Sequence, residues 1–333
     1  MLAILFHLLT RLGNIISTLS LSAGINFFDN AEIYANGVAE TIMGKCIQKG
    51  LEEGVWKRED LVISTKIFFG TGENNPNGKG LSRKHILEGT TSSLRRLQLS
   101  YVDVLFCHRP DPLTPMEETV RAMNAVIAKE QAFYWGTSMW SVAQIEEAMG
   151  LCDRLGLIRP IVEQPEYNIF ARDKLEYEYV PLFHKYGLGT TIFSPLASGV
   201  LSGKYKDGNV PDGSRLSLPG YAFLRDAKLT GNDCYQLQKT EELRPVAERL
   251  GCSLAQLAIA WTLKNDHCTT TILGATRMAQ LEENLGALAV LPKLTAEVMK
   301  EVDEIVGWKA PRTRVENQVA SLRKAESVHG SRA

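Results

Sequence analysis

The chain has 333 residues, of which 44% are hydrophobic, and its 37 basic and 38 acidic side chains give a formal net charge of −1. This balance excludes the basic surface that nucleic acid binding requires, and the hydrophobic fraction is typical of a globular protein. The six cysteines include no C-x-x-C pair. The sequence therefore predicts neither a metal site nor a disulfide framework, and it favours a reducing compartment.

The first 23 residues form an atypical segment. It begins with the apolar run Leu2–Leu9, which is interrupted by His7 and followed by Arg11. No basic residue precedes the run and it is far shorter than a membrane span, so a secretory signal peptide is the minor alternative and no direct membrane insertion is expected. The simpler interpretation is an amphipathic helix packed on the domain.

Beyond this segment, short β-branched and aromatic runs alternate with longer runs of helical period, as in strand–helix units around a parallel sheet. The predicted strands are Ile25–Phe28, Leu61–Lys66, Val102–Cys107, Ala132–Gly136, Ile161–Gln164, Thr190–Ser194 and Thr270–Leu273. The predicted helices, with capping residues Ser82, Thr114, Ser141 and Ser253, are Ser82–Leu97, Pro115–Ala128, Ser141–Leu155 and Ser253–Leu263.

No linker divides the chain, so a single (β/α)8 TIM barrel is favoured over two domains. Only seven strands are found where a closed barrel has eight. The stretch Gly199–Asn232 is predicted to be a long loop after the strand Thr190–Ser194. Loops of that length are often functional.

Ionisable residues follow three consecutive apolar strands, at the ends where barrel active sites lie. Asp29 follows Phe27 and Phe28, Lys66 ends the next strand, and His108 ends the third. Taken singly, each has an ordinary structural role: a strand-end aspartate caps a helix, a lysine reaches solvent, and a histidine holds a turn. Three such residues aimed at one rim indicate a catalytic site.

Tyr34, five residues past Asp29, is a fourth candidate. A tyrosine with its ordinary pKa of about 10 is a weak acid, but a nearby Lys66 ammonium would favour the phenolate, and a buried Asp29 would keep that ammonium charged. The phenol could then donate a proton near neutral pH. His108 could donate a hydrogen bond to the oxygen of a carbonyl that is being reduced.

These four residues, with Gly24–Asp29 around the first of them, resemble the catalytic tetrad of the aldo-keto reductases. The resemblance runs from about Gly24 to about Trp308. The stretches Asn30–Gly37, Gly80–His85, Tyr134–Ser138 and Ser194–Gly199 are similar to one branch, the voltage-gated potassium channel beta subunits and their plant and microbial relatives. This resemblance implies a barrel over residues 24–308. It also implies an N-terminal hairpin and a first barrel strand before Gly24, and we expect both to be missing because the start is truncated or divergent. The tail, 309–333, is expected to be disordered.

The resemblance also implies bound NADPH/NADP+, held extended over the barrel mouth. Ser138 and Gln164 match the residues that bind the nicotinamide amide. The segment beneath the pyrophosphate is matched by Ser194, Pro195, Leu196, Ala197 and Ser198. The phosphate and adenosine clamps are matched by Lys204 and Arg215, and the adenosine end by Gly274, Thr276, Arg277, Gln280, Glu283 and Asn284. The alternative for this last group is the solvated face of a helix.

Three residues depart from the channel-subunit pattern: Met139 stands in place of an arginine near the cofactor phosphates, Phe193 in place of a tryptophan, and Gly213 in place of a tyrosine. His108, in contrast, follows the reductase pattern. The leading prediction is therefore an NADPH-dependent reductase of aldehydes and ketones, although the atypical start could impair its activity.

The alternatives are a potassium channel beta-like regulatory subunit that senses redox state through bound NADPH, and an unstable fragment whose missing strand abolishes binding. The implied partners are a small carbonyl substrate and, for the regulatory reading, a homotetramer and a channel alpha subunit. The ending Ser331-Arg332-Ala333 imitates a peroxisomal address only loosely, so we expect a cytoplasmic protein.

Overall fold

The computed structural model describes residues 2–5, 24–72, 75–275 and 277–310, with the backbone alone for residues 2–5. Eight parallel strands form a closed barrel in which each strand pairs with its neighbours in sequence. The strands are β1 (Leu2–Leu5), β2 (Phe27–Asp29), β3 (Val62–Ile67), β4 (Val102–Cys107), β5 (Ala132–Ser138), β6 (Val162–Gln164), β7 (Gly189–Ile192) and β8 (Thr270–Leu273). The predicted TIM barrel is confirmed, and all seven predicted strands are present within a few residues of their expected bounds.

The place of the first strand is taken by Leu2–Leu5, where we expected a gap. Ala3 pairs with Phe27 of β2 on one side and with Ile272 of β8 on the other. A gap would leave two sheet edges with unpaired backbone groups, and a short apolar run satisfies both edges. Residues 2–5 are thus a strand and not part of the expected amphipathic helix; residues 6–23 and the predicted tail lie outside the described residues.

Helices follow the strands and cover the barrel. In the described part of the chain they are α1 (Val38–Glu52), α2 (Arg83–Leu97), α3 (Met116–Ala128), α4 (Val142–Leu155), α5 (Val180–Tyr186), α6 (Ala222–Leu229), α7 (Tyr235–Glu242), α8 (Arg244–Leu250), α9 (Leu254–Leu263), α10 (Met278–Leu285), α11 (Ala287–Val290) and α12 (Ala296–Val306). No helix among the described residues is long and apolar enough to cross a membrane.

Side-chain caps fix the starts of three of the four predicted helices. Ser82 accepts a hydrogen bond from the His85 amide, and Ser141 and Ser253 form capping boxes. Thr114 does not cap α3, because Pro115 occupies the N-cap position and the Thr114 hydroxyl donates to Asp111 instead, at 2.8 Å. The N-cap of α3 is therefore Pro115 and not the predicted Thr114.

The stretch predicted as a loop after β7 is partly helical. It contains α6 and four short 3₁₀ turns, Ala197–Ser202, Lys206–Gly208, Arg215–Ser217 and Pro219–Tyr221. Leu216, Tyr205 and Leu201 are buried in it. These apolar anchors pack the insertion onto the barrel as an ordered cover near the ends of β7 and β8.

Candidate active site

Asp29 and Lys66 form a buried ion pair at the carboxyl ends of β2 and β3. The register pairs Asp29 with Ser64, so Lys66 lies two residues further on along the same inner face. Both side chains are fully buried. The Lys66 Nζ contacts Asp29 Oδ2 and donates to the Asn30 carbonyl at 2.7 Å, while Ser64 Oγ donates to Asp29 Oδ1 at 2.6 Å. The ammonium is therefore fixed in position by two oxygen atoms at the end of β2.

Tyr34 lies against this ion pair. It begins a 3₁₀ turn, Tyr34–Gly37, in which Ala35 and Asn36 adopt left-handed backbone angles. Its hydroxyl lies 3.4 Å from Lys66 Nζ. Burial raises the pKa of Tyr34, and Lys66 opposes this more weakly. The expected lowering by the ammonium is present, but loss of hydration outweighs it and keeps the phenol protonated at neutral pH.

His108 completes the group from the end of β4. Its ring meets the Tyr34 ring edge-on, with centroids 5.8 Å apart, and meets Phe69 in the same way at 5.0 Å. Burial, together with the cations of Lys66 and Arg109, holds the pKa of His108 well below its ordinary value. The imidazole is thus neutral at physiological pH, and its Nδ1 is buried with no hydrogen-bond partner among the described residues. The four predicted tetrad residues are brought together.

Ser138 and Gln164, predicted to hold the nicotinamide, end β5 and β6 beside the tetrad. The Ser138 hydroxyl donates to the Gln164 carbonyl at 2.9 Å. The Gln164 amide donates to Thr191 at 3.2 Å and lies 3.4 Å from Asp29 Oδ1. The amide-binding pair is therefore joined by hydrogen bonds to Asp29 and Lys66, in a network that includes residues of β2, β3, β5, β6 and β7.

The segment after β7 has an unusual backbone. Ser194, Ala197 and Ser198 have φ values of 56°, 47° and 60°, although none is a glycine. Ala197, Ser198 and Gly199 have positive φ in succession, and backbone that combines right- and left-handed residues can direct N–H groups toward an anion. Pro195 and Leu196 complete this segment, and Leu196 packs against the hydrophobic core. Strained backbone of this kind is concentrated at functional sites.

Three cations lie around this segment. Lys204, Arg215 and Arg277 interact electrostatically, and the pKa of Lys204 is lowered first by burial and then by Arg277 and Arg215. Within the described residues none of the three forms an ion pair, and the Nε of Arg215 and the Ser214 hydroxyl are buried without partners. A Cβ added to Gly199, which has φ of 97°, would come within 2.8 Å of Lys204 Cε. Like charges held together without carboxylates are suited to a polyanion.

The other residues predicted at the adenosine end follow β8, and they do not share one environment. Gly274 is exposed, Arg277 is the exposed N-cap of α10, and Glu283 is exposed on that helix, whereas Asn284 is buried. The backbone N–H of Gln280 donates to the Arg277 carbonyl. Thr276 lies outside the described residues. A uniformly solvated face, the alternative interpretation, does not account for a buried Asn284.

Two groups that the sequence analysis did not single out directly adjoin predicted site residues in the chain: Arg109 follows His108, and Glu163 precedes Gln164. Arg109, beside His108, donates from Nη1 to Ser138 Oγ at 3.2 Å. Glu163, fully buried on β6, accepts hydrogen bonds from Thr137 at 2.5 Å and from the Trp140 amide at 3.3 Å. Burial raises the pKa of Glu163 to about 7. Arg109 directly follows a predicted site residue, and that position was the one available signal.

Met139, which stands where channel subunits have an arginine, is also accounted for by a local contact. It has a left-handed φ of 59°, and its Sδ accepts a hydrogen bond from the Glu166 amide at 3.3 Å. The thioether therefore ties the end of β5 to the segment after β6, but it supplies no charge toward a phosphate.

A sequence model of the aldo/keto reductase family matches residues 14–307. The chain is 55% identical over 289 residues to a probable voltage-gated potassium channel subunit beta of Arabidopsis thaliana, an alignment that covers 87% of this chain and 85% of that protein. It is 54% identical over 291 residues to the corresponding protein of Oryza sativa subsp. japonica, covering 87% and 86%. A putative subunit of Schizosaccharomyces pombe is 49% identical over 285 residues, covering 86% and 81%.

Proposed function

Since the chain belongs to the aldo/keto reductase family, we propose that it reduces aldehydes and ketones to alcohols with NADPH. The observation that carries the proposal is the position of Lys66, whose ammonium contacts the Asp29 carboxylate and lies 3.4 Å from the Tyr34 hydroxyl. This arrangement fixes a protonated phenol at the rim where a carbonyl oxygen could be received. The reaction we assign is general acid catalysis by Tyr34.

The described residues fit NADPH. Lys204, Arg215 and Arg277 offer a polyanion three charges without competing carboxylates, and the buried Nε of Arg215 has no partner within the described chain. We assign the phosphates to these three residues and to the segment Ser194–Ser198, and the nicotinamide amide to Ser138 and Gln164. When bound, NADPH supplies the hydride that reduces the carbonyl carbon.

Each tetrad residue then has a separate role. Tyr34 donates its proton to the carbonyl oxygen, and the Lys66 ammonium stabilises the phenolate that is left. Asp29 keeps Lys66 charged and oriented in its buried position. The neutral His108 donates a ring N–H to the same carbonyl oxygen, since an imidazole with a lowered pKa keeps one donor nitrogen at neutral pH.

The test is Tyr34→Phe, with 4-nitrobenzaldehyde as substrate. We expect kcat to fall by roughly 10²–10⁴-fold, the contribution of general acid catalysis. NADPH affinity, followed by fluorescence titration, should stay within about twofold, because its assigned contacts lie on other loops. Tyr134→Phe is the matched control, since Tyr134 is half-exposed on β5 and four residues before Ser138. Equal turnover by wild type and Tyr34→Phe, with hydride transfer rate-limiting by isotope effect, would contradict the assignment.

A regulatory role is the second candidate, favoured by the names of the relatives. In this role the chain would bind a channel alpha subunit as a homotetramer and report the redox state of its cofactor. Co-purification with a channel tetramerisation domain tests it, and Tyr34→Phe should retain this binding. A wild type that binds NADPH and reduces no aldehyde would favour this candidate over the reductase.

We also propose a cytoplasmic location. All six cysteines are free thiols, and four of them are buried. Free thiols are typical of a reducing compartment. Imaging of a tagged chain with an unblocked C-terminus tests the proposal, and accumulation in peroxisomes would contradict it.

A further inference from the structure

Arg109 is a charged side chain in the candidate site that the proposed mechanism does not use. It follows His108 at the end of β4 and is half-buried. Nη1 donates to the His108 carbonyl at 2.5 Å and to Ser138 Oγ at 3.2 Å. The guanidinium also lies 6.0 Å from the centroid of the Phe69 ring. These contacts hold it next to the tetrad and leave its Nε and Nη2 donors without a hydrogen bond from the described residues.

The charge of Arg109 is not balanced by a carboxylate. Three other half-buried or buried arginines each pair with one: Arg58 with Asp103 at 2.7 Å, Arg96 with Glu40 at 2.7 Å, and Arg172 with Asp303 at 2.6 Å. Within the described part of the chain Arg109 forms no ion pair, and Glu163 and Glu166 act on it only from a distance. A guanidinium removed from water without a partner is costly, so the site favours an anion.

Two carboxylates on neighbouring loops, Asp111 and Glu32, have other partners. Asp111 accepts hydrogen bonds from the amides of Leu81 and Leu113. Glu32 accepts hydrogen bonds from the backbone amides of Phe68 and Gly70, and its Oε1 also lies 3.1 Å from His85 Nε2. Neither carboxylate is available to neutralise Arg109, so the missing partner is not supplied by these loops.

The surroundings of Arg109 indicate the shape of that partner. Its neighbours toward the tetrad are the rings of Phe69, His108 and Tyr34, which meet edge to face. Arg109 is close enough to Tyr34 for the charge of its guanidinium to oppose the rise of the Tyr34 pKa. A flat molecule could therefore place a carbonyl at Tyr34 and a carboxylate at the guanidinium, whose planar donors match a carboxylate.

We propose that Arg109 selects carbonyl substrates that carry a carboxylate. This inference rests on the proposed reductase function and names the substrate class of the same site. Arg109 binds the distal carboxylate, while Tyr34 and His108 contact the carbonyl oxygen. Its effect belongs to substrate binding, so it changes KM more than kcat.

The experiment compares 4-carboxybenzaldehyde with 4-nitrobenzaldehyde, which have the same shape and differ in charge. We expect kcat/KM of the wild type to favour the carboxylate by at least tenfold, and Arg109→Gln to lower this preference by about 10- to 100-fold, mainly through KM. Arg109→Lys should keep part of the preference, and added salt should weaken it in the wild type. Arg121→Gln, on the exposed face of α3, is the control and should keep the preference.

Equal kcat/KM for the two aldehydes, or a preference that survives in Arg109→Gln, would overturn the inference while leaving the reductase function intact. If neither aldehyde is reduced, the proposed function fails, and binding decides the inference separately. In that case the affinities of the NADPH-loaded protein for the two aldehydes are measured by calorimetry. Tighter binding of the carboxylate that is lost in Arg109→Gln supports a carboxylate site, and equal affinities refute it.

Discussion

Glu163→Gln tests how much the buried carboxyl of Glu163, on β6, changes the free energy of unfolding of the barrel. In the folded chain the Glu163 pKa is raised from 4.5 to about 7 because the carboxyl is buried, despite hydrogen bonds from Thr137 and the Trp140 amide. At about 1.4 kcal/mol per unit, this shift corresponds to about 3 kcal/mol. Because the pKa of Glu163 is higher in the folded than in the unfolded chain, its carboxyl lowers the free energy of unfolding at pH values where the carboxyl of the unfolded chain is ionised.

The sign follows from the protons bound in each state. Below pH 4.5 both states hold the Glu163 proton, and the carboxyl adds no pH dependence. Between about 4.5 and 7 the unfolded chain loses the proton first, so stability falls as pH rises, and above 7 the full loss is present. Glutamine stays neutral and keeps the shape. The unfolding free energy of Glu163→Gln minus that of the wild type should therefore rise by up to about 3 kcal/mol between pH 4.5 and 8.

Urea unfolding at several pH values, followed by circular dichroism, measures this difference. Glu147→Gln, an exposed residue of α4, serves as the control and should differ from the wild type by a constant amount. A difference for Glu163→Gln that does not change with pH would refute the reasoning, because it would mean that the carboxyl is not desolvated in the folded barrel.

Three further outcomes are expected. Lys66→Met leaves Asp29 buried without its counter-charge, so it should lower the unfolding free energy by about 3–5 kcal/mol in urea melts and reduce kcat as Tyr34→Phe does. Arg215→Ala should weaken NADPH binding but not NADH binding in fluorescence titrations at one salt concentration, and equal losses would exclude a contact with the 2′-phosphate. Ser141→Ala removes the cap of α4 and should cost about 1 kcal/mol, measured by the same urea melts; no loss would mean that the cap is not stabilising.

Parts of the candidate site could be predicted because the sequence changes abruptly from apolar to ionisable residues at the ends of strands. Asp29, Lys66 and His108 each follow apolar runs, and parallel strands bring such ends to one rim. Arg109 was missed because nothing in the sequence shows that a strand-end arginine is without a carboxylate partner. That property depends on which acids the fold brings near it.

Glu163 and β1 were missed for different reasons. Glu163 lies in a strand of only three residues, which is too short for an alternating pattern to show which face of the sheet its side chain is on. Its hydrogen-bond donors Trp140 and Tyr179 lie outside that strand, so the sequence around Glu163 does not reveal them. Leu2–Leu5 has no strand signal of its own beyond hydrophobicity. Its conformation is fixed by the two edges it pairs with, and these exist only once the other seven strands are in place.

The pairing of β1 with β8 also constrains the order of folding. Leu2 and its partner Thr271 lie about 270 positions apart in the chain. During synthesis the barrel cannot close until β8 has left the ribosome, and until then the edges of the growing sheet remain open to other chains. Contacts of such long range also make folding slow. The nascent chain should therefore depend on chaperones that shield these edges, and its yield should fall when synthesis outpaces them.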